Sequence, residues 1–223
     1  MTKHAMIIGA TGLVGSKLLP LLLDSRHYEK VTALVRRPIS IKHPKLNVIY
    51  VDFRQLEGSF PNESIDDLFG CLGTTIKKAK SKDVMYEIDV LYTLNTVKLA
   101  QAHGLKRCML ISATGANADS SIFYSRIKGE LEAKLRKLEL HQLSIFRPSL
   151  LVGEREEFRL GEQMAIKLFH GLSWAVPQPL KASFGLKAEQ VAHAMLVKAK
   201  QQESGTHVYK PAQIASFSKI IKE

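Results

Sequence analysis

Tyr124 and Lys128 stand four residues apart in a charge-laced segment, a spacing that puts both on one face of a helix. Of the six tyrosines, only Tyr124 has a lysine four positions on. A phenol with a reference pKa of about 10 is a slow acid–base group near neutral pH, and a cation beside it lowers that value. Just upstream, Ser112-Ala-Thr114 closes a short apolar run and adds hydroxyls. Phenol, ammonium and hydroxyl together suit the delivery of a proton to an oxygen that is gaining negative charge, as happens when hydride reaches a carbonyl.

A second group of residues suits phosphate. Gly9-Ala-Thr-Gly12-Leu-Val-Gly15 lies between an apolar run and an amphipathic pattern. Glycines there allow a tight turn, a close approach of backbone N–H groups to a pyrophosphate, and close packing of helix on strand, with the phosphate at the positive end of the helix. Roughly 20 residues further on, where an acidic residue would accept from the ribose hydroxyls of NAD, stand Arg36-Arg37. Two guanidinium groups suit a 2′-phosphate, so NADP is expected and NAD is the less favoured cofactor.

These groups need a scaffold, and the chain alternates short apolar runs with longer helical patterns, as successive βαβ units do. Strands are expected at Ala5–Ile8, Val31–Val35, Asn47–Val51, Asp67–Cys71, Cys108–Ile111, Ser144–Phe146 and His207–Tyr209. Helices are expected at Ser16–Asp24, Val90–His103, Tyr124–Leu138 and Ala188–Lys200. The fold class is α/β, a doubly wound parallel sheet. Residues 1–223 form one domain, with 153–185 a variable region on the substrate side. That region, with Phe158, Phe169, Trp174 and Phe184, is expected to form a small C-terminal subdomain covering the crevice beyond the strand ends, although any one of these aromatics fits an ordinary core equally well.

Composition narrows the function classes. Cys71 and Cys108 have no metal-type spacing, which sets aside zinc and disulfide chemistry. No apolar run approaches the roughly 18 residues of a membrane span, and Leu18–Leu23 is interrupted by Pro20. The start of the sequence runs straight into a strand, so a cytoplasmic place is expected. The net charge of +11 is scattered except at Lys77, Lys78, Lys80 and Lys82, expected on a loop after the fourth strand. With no nucleic-acid motif beside them, these lysines are expected to attract a small anionic substrate or cofactor, with no specific nucleic acid and no membrane as partner.

The chain resembles the short-chain dehydrogenase/reductase superfamily, and within it the atypical branch of the Tat-interacting-protein oxidoreductases. The resemblance rests on the Gly9–Gly15 turn, Arg36-Arg37, Cys71-Leu-Gly-Thr-Thr75, Ser112, Tyr124-Ser-Arg-Ile-Lys128-Gly-Glu and Phe146-Arg-Pro148. It implies a Rossmann-type fold and an NADP-dependent reductase or dehydrogenase acting on a small carbonyl or alcohol. Tyr124 would be the acid–base residue, and Lys128 would bind the nicotinamide ribose while activating Tyr124. Ser112 would orient the substrate carbonyl, with Thr114 the alternative. Gly9, Thr11, Gly12, Leu13, Val14 and Gly15 would hold the cofactor with Arg36 and Arg37. Asp52 would meet the adenine amino group, the backbone at Leu72-Gly73 would pass the adenine ribose, and Pro148–Leu151 would face the nicotinamide. Arg147 is expected to be a structural ion-pair residue. Two other functions fit the same fold: an NADP(H) sensor that regulates a partner without turnover, and a nucleotide-sugar epimerase, which the short C-terminal part disfavours.

Overall fold

The computed structural model describes residues 3–149, 151–152, 185–201 and 203–217. Its centre is a seven-stranded sheet of β1 (Lys3–Ile8), β2 (Tyr28–Val35), β3 (Leu46–Tyr50), β4 (Asp67–Gly70), β5 (Arg107–Ile111), β6 (Gln142–Phe146) and β9 (Gly205–Tyr209). The strands run in the order β3-β2-β1-β4-β5-β6-β9, every neighbouring pair parallel. A two-stranded parallel ribbon pairs β7 (Leu151–Val152) with β8 (Leu186–Lys187). The chain leaves β1 toward β2 and β3, then returns to β1's other side for β4. That reversal opens a crevice at the carboxyl ends of β1 and β4, where doubly wound sheets bind ligands.

Side-chain alternation along the strands assigns two cores. From β1, Ala5 and Ile7 pack toward α1 (Gly15–Asp24) and α6 (Ala188–Lys200), while Met6 and Ile8 pack toward α4 (Tyr92–Ala102) and α5 (Phe123–Arg136). Helix α1 contributes Leu18, Leu19, Leu22 and Leu23, the stripe its sequence advertises. Helix α7 (Pro211–Phe217) ends the described chain.

The elements depart from expectation where polar residues are buried in pairs. Strand β2 starts at Tyr28, three residues early, because the Tyr28 hydroxyl donates to Asp67 Oδ2 at 2.6 Å and can be buried. Strand β6 starts at Gln142, whose side-chain amide donates to Ser144 Oγ and to the Lys198 carbonyl. The lysine run is helical, not a loop. Lys77 and Lys78 lie in α2 (Ile76–Ala79), Lys80 closes it in the left-handed region at φ 66°, and Lys82 opens α3 (Lys82–Tyr86) behind the Ser81 cap. The helix expected from Val90 is instead reached through one π turn, Glu87–Leu91, that continues α3 into α4. The stretch 153–184, with its four aromatics, lies outside the described residues.

Candidate functional site

The glycine turn leaves β1 at Gly9, which adopts φ +78°. A Cβ on Gly9 would lie 2.5 Å from the Cys71 carbonyl carbon and oxygen, so the turn is pressed against the end of β4. A Cβ on Gly15 would lie 2.1 Å from the Gly9 carbonyl oxygen, so only glycine lets α1 start this close to the strand. Gly12 N–H closes the turn by donating to that carbonyl at 2.9 Å. Val14 caps α1 without any side-chain hydrogen bond, and the first turn carries no acidic residue. Amides around Leu13, Val14 and Gly15 thus head a helix whose positive end faces the turn.

One cavity joins several of the expected cofactor contacts. Gly9, Thr11, Arg36, Arg37 and Leu72 line it, together with Phe53. Both arginines are exposed at the end of β2. Asp52 Oδ1 accepts from Arg54 N–H at 2.9 Å and caps a short 3₁₀ turn. The aromatic wall at this end is Phe53, stacked on Tyr92 with centroids 5.2 Å apart. No pattern in the sequence separates Phe53 from an ordinary core aromatic. Gly73 sits between Leu72 and Thr74, in the segment that carries the chain from β4 into α2.

The second half of the site sits on α5. Lys128 Nζ lies 5.9 Å from the centroid of the half-buried Tyr124 ring, so one helical turn does bring phenol and ammonium together. Lys128 is 2% exposed, and its ammonium is held 3.0 Å from Asp89 Oδ2, itself at 0%. The other Asp89 oxygen accepts the Thr74 N–H at 2.7 Å. Asp89 therefore ties the segment after β4 to the lysine beneath the phenol. It lies in the π turn far from Lys128 in sequence, and only the fold shows the pairing. Helix α5 is also pressed on the preceding loop, since a Cβ on Gly129 would lie 2.2 Å from Ala118 N.

Ser112 is buried at the end of β5. It is 2% exposed and its hydroxyl donates to Glu132 Oε1 at 2.5 Å. The same carboxylate receives Arg147 Nε at 2.9 Å and Nη2 at 2.6 Å, the structural pair foreseen for Arg147. The Thr114 hydroxyl is bonded too, lying 3.1 Å from the Arg147 carbonyl and 3.0 Å from that of Pro148. Both hydroxyls at the end of β5 thus have partners within the fold. Of Pro148–Leu151, residue 150 lies outside the described residues. Among the described residues no group of acidic, histidine or cysteine side chains could hold a metal ion. Burial pushes the Cys108 thiol up to about 12, well away from reactive thiolate chemistry.

A family model described as NAD(P)H-binding matches residues 9–148, from the first glycine of the turn to the proline after β6. The chain belongs to that NAD(P)H-binding family. It is 37% identical over 200 residues to "Protein HTATIP2" of Rattus norvegicus, covering 87% of this chain and 80% of that protein. It is 32% identical over 171 residues to "Protein FMP52, mitochondrial" of Eremothecium gossypii, covering 75% of each. An oxidoreductase of the short chain dehydrogenase/reductase family from Burkholderia thailandensis shares the fold at a TM-score of 0.69, with 16% identity over 96% of this chain and 94% of that one. The chain is thus an NAD(P)-binding Rossmann protein with an oxidoreductase-type, short-chain-dehydrogenase-like fold, close to HTATIP2 and FMP52. Among the described residues no helix is long and apolar enough to cross a membrane.

Proposed function

We propose that the chain is an NADP-dependent oxidoreductase moving a hydride between the nicotinamide and a small carbonyl or alcohol, with Tyr124 as the acid–base residue. One observation carries this: the buried Lys128 ammonium lies under the Tyr124 ring and is fixed there by Asp89, which also grips the segment after β4. A protein that only sensed the cofactor would have no use for an acid–base pair supported in this way.

The residues fit a dinucleotide. Side chains at Gly9 or Gly15 would fill the space of the turn, and the capless start of α1 leaves amide donors for a pyrophosphate. Arg36 and Arg37 border the same cavity and supply charge for a 2′-phosphate. The bound dinucleotide supplies or accepts the hydride. Lys128 is paired with Asp89 by charge, and its ammonium carries three donors, so one can serve a ribose hydroxyl. Tyr124 gives its phenolic proton to the substrate oxygen as charge develops there, or takes it in the reverse direction. The four exposed lysines at 77, 78, 80 and 82 follow directly on the segment containing Leu72 and favour an anionic substrate or cofactor over specific nucleic-acid binding.

The test is NADPH oxidation against a panel of small aldehydes, ketones and quinones. Wild type should turn over at least one of them, and Tyr124→Phe should lose about 10²–10⁴-fold in rate while binding NADPH as before. Equal rates for the two proteins would end the assignment of Tyr124.

A further inference from the structure

The Ser112–Glu132–Arg147 cluster is the most tightly bonded group near Tyr124 that the proposed chemistry does not use. It joins three elements. Ser112 follows β5, Glu132 lies in α5 one turn beyond Lys128, and Arg147 follows β6. Glu132 accepts the Ser112 hydroxyl and both forks of the Arg147 guanidinium, at 2.5, 2.9 and 2.6 Å. Its side chain is 3% exposed and that of Arg147 30%. Charge-assisted bonds of these lengths, two of them bidentate, are the strong and directional kind. The backbone of Arg147 is fixed as well, its N–H donating to the Tyr209 carbonyl at 2.9 Å.

Donor counting then decides what Ser112 does. A serine hydroxyl has one proton to give. Here it goes to Glu132, so none is left for a substrate carbonyl. Ala113, the next residue, has no hydroxyl, and Thr114 faces the carbonyls of Arg147 and Pro148. Tyr124, Lys128 and Glu132 follow one another at single turns of α5, so whatever fixes Glu132 also fixes the height and rotation of the phenol and the ammonium.

We propose that Ser112, Glu132 and Arg147 form a clamp that positions the Tyr124/Lys128 helix on the ends of β5 and β6, and that Ser112 serves in this clamp and not as the hydroxyl that orients the substrate. The proposal rests on the acid–base role of Tyr124 only for its kinetic arm; the clamp itself is tested without turnover.

The experiment uses the full chain with saturating NADPH. Amide hydrogen exchange of α5 is followed in wild type, Ser112→Ala, Arg147→Met and Arg147→Met/Glu132→Gln, and kinetics are measured on the same proteins beside Tyr124→Phe. Arg147→Met strands a buried carboxylate, so α5 should exchange about tenfold faster or more, with kcat lowered and the KM for NADPH raised as Lys128 shifts with the helix. Adding Glu132→Gln removes the stranded charge and should restore much of the protection. Ser112→Ala leaves the Arg147 fork intact, so kcat/KM should fall by less than about tenfold, the loss of one ordinary hydrogen bond. A fall of about 10²–10³-fold in Ser112→Ala, with α5 exchange unchanged, is the signature of a donor to the reacting oxygen and would overturn the proposal. So would wild-type α5 exchange in Arg147→Met. If Tyr124→Phe stays fully active while Arg147→Met loosens α5, the acid–base assignment fails and the clamp stands. If no substrate is turned over, the exchange rates alone decide.

Discussion

Lys128 Nζ and Asp89 Oδ2 lie 3.0 Å apart with both residues at 2% exposure or less, so the ammonium proposed to serve the cofactor is half of a buried ion pair. Such a pair adds little over an apolar packing, but stranding one partner is costly because the remaining charge stays buried. Asp89→Asn should therefore destabilise the fold by about 3 kcal/mol or more. It should also weaken NADPH binding, since Lys128 loses its anchor. Urea unfolding and calorimetric titration on the same preparation check both effects. An unfolding midpoint and a Kd equal to those of wild type would show that Asp89 anchors nothing.

Gly15→Ala tests the turn. The added Cβ would meet the Gly9 carbonyl oxygen at 2.1 Å, and that atom is backbone fixed by the Gly12 N–H. Either α1 or the turn must move. The expected result is a loss of about 1–3 kcal/mol in stability, the usual range for overpacking, and a larger loss in NADPH affinity because the amide donors shift together. Gly58→Ala is the control, because nothing lies within 4 Å of its Cβ position. Matched affinities for the two variants would remove the turn from the cofactor site.

His27, just before β2, is lowered from 6.5 to about 4 by burial first, and then by the nearby cations Lys3, Arg107 and Lys200. Its folded value thus lies below its unfolded one. As pH falls the unfolded chain takes up the proton first, so stability is fully present above about 6.5 and is lost as pH drops toward about 4. His27→Gln cannot titrate and should flatten this part of the profile. Thermal unfolding of both proteins between pH 7 and pH 4 gives the comparison. Parallel curves through that window would mean that His27 is not held neutral by the fold.

The parts of this architecture that follow local rules are those visible in the sequence. The Gly9–Gly15 turn, the leucine stripe of α1 and the Tyr124/Lys128 spacing each depend on neighbours within a few residues, and the fold places them as their patterns imply. What stays hidden depends on partners far along the chain. Hydropathy breaks at Glu29 and Lys30, so the three-residue extension of β2 appears only once Tyr28 finds Asp67 across the sheet. Asp89 looks like an ordinary polar residue ahead of a helix until the π turn points it at Lys128. Ser112 shows the limit from the other side. Its position at a strand end suggests a hydroxyl for the substrate, and nothing beside it in sequence announces that Glu132, four residues beyond Lys128 on the same face, accepts its proton.

Arg36 and Arg37 carry the last prediction, the preference for NADPH over NADH. Both side chains are exposed, and both border the cavity shared by Gly9, Thr11 and Phe53. A charge-assisted hydrogen bond to a phosphate contributes about 1.5–3 kcal/mol, which corresponds to roughly a tenfold or greater preference for the cofactor that carries the 2′-phosphate. Arg36→Ala/Arg37→Ala should bring the two affinities together by weakening NADPH, with NADH affinity little changed. Because a purely electrostatic contact is screened by salt, the wild-type preference should also shrink as ionic strength rises. Calorimetry with both cofactors, at low and physiological salt, measures all of this. Equal affinities in wild type at low salt would show that the arginines do not select the cofactor.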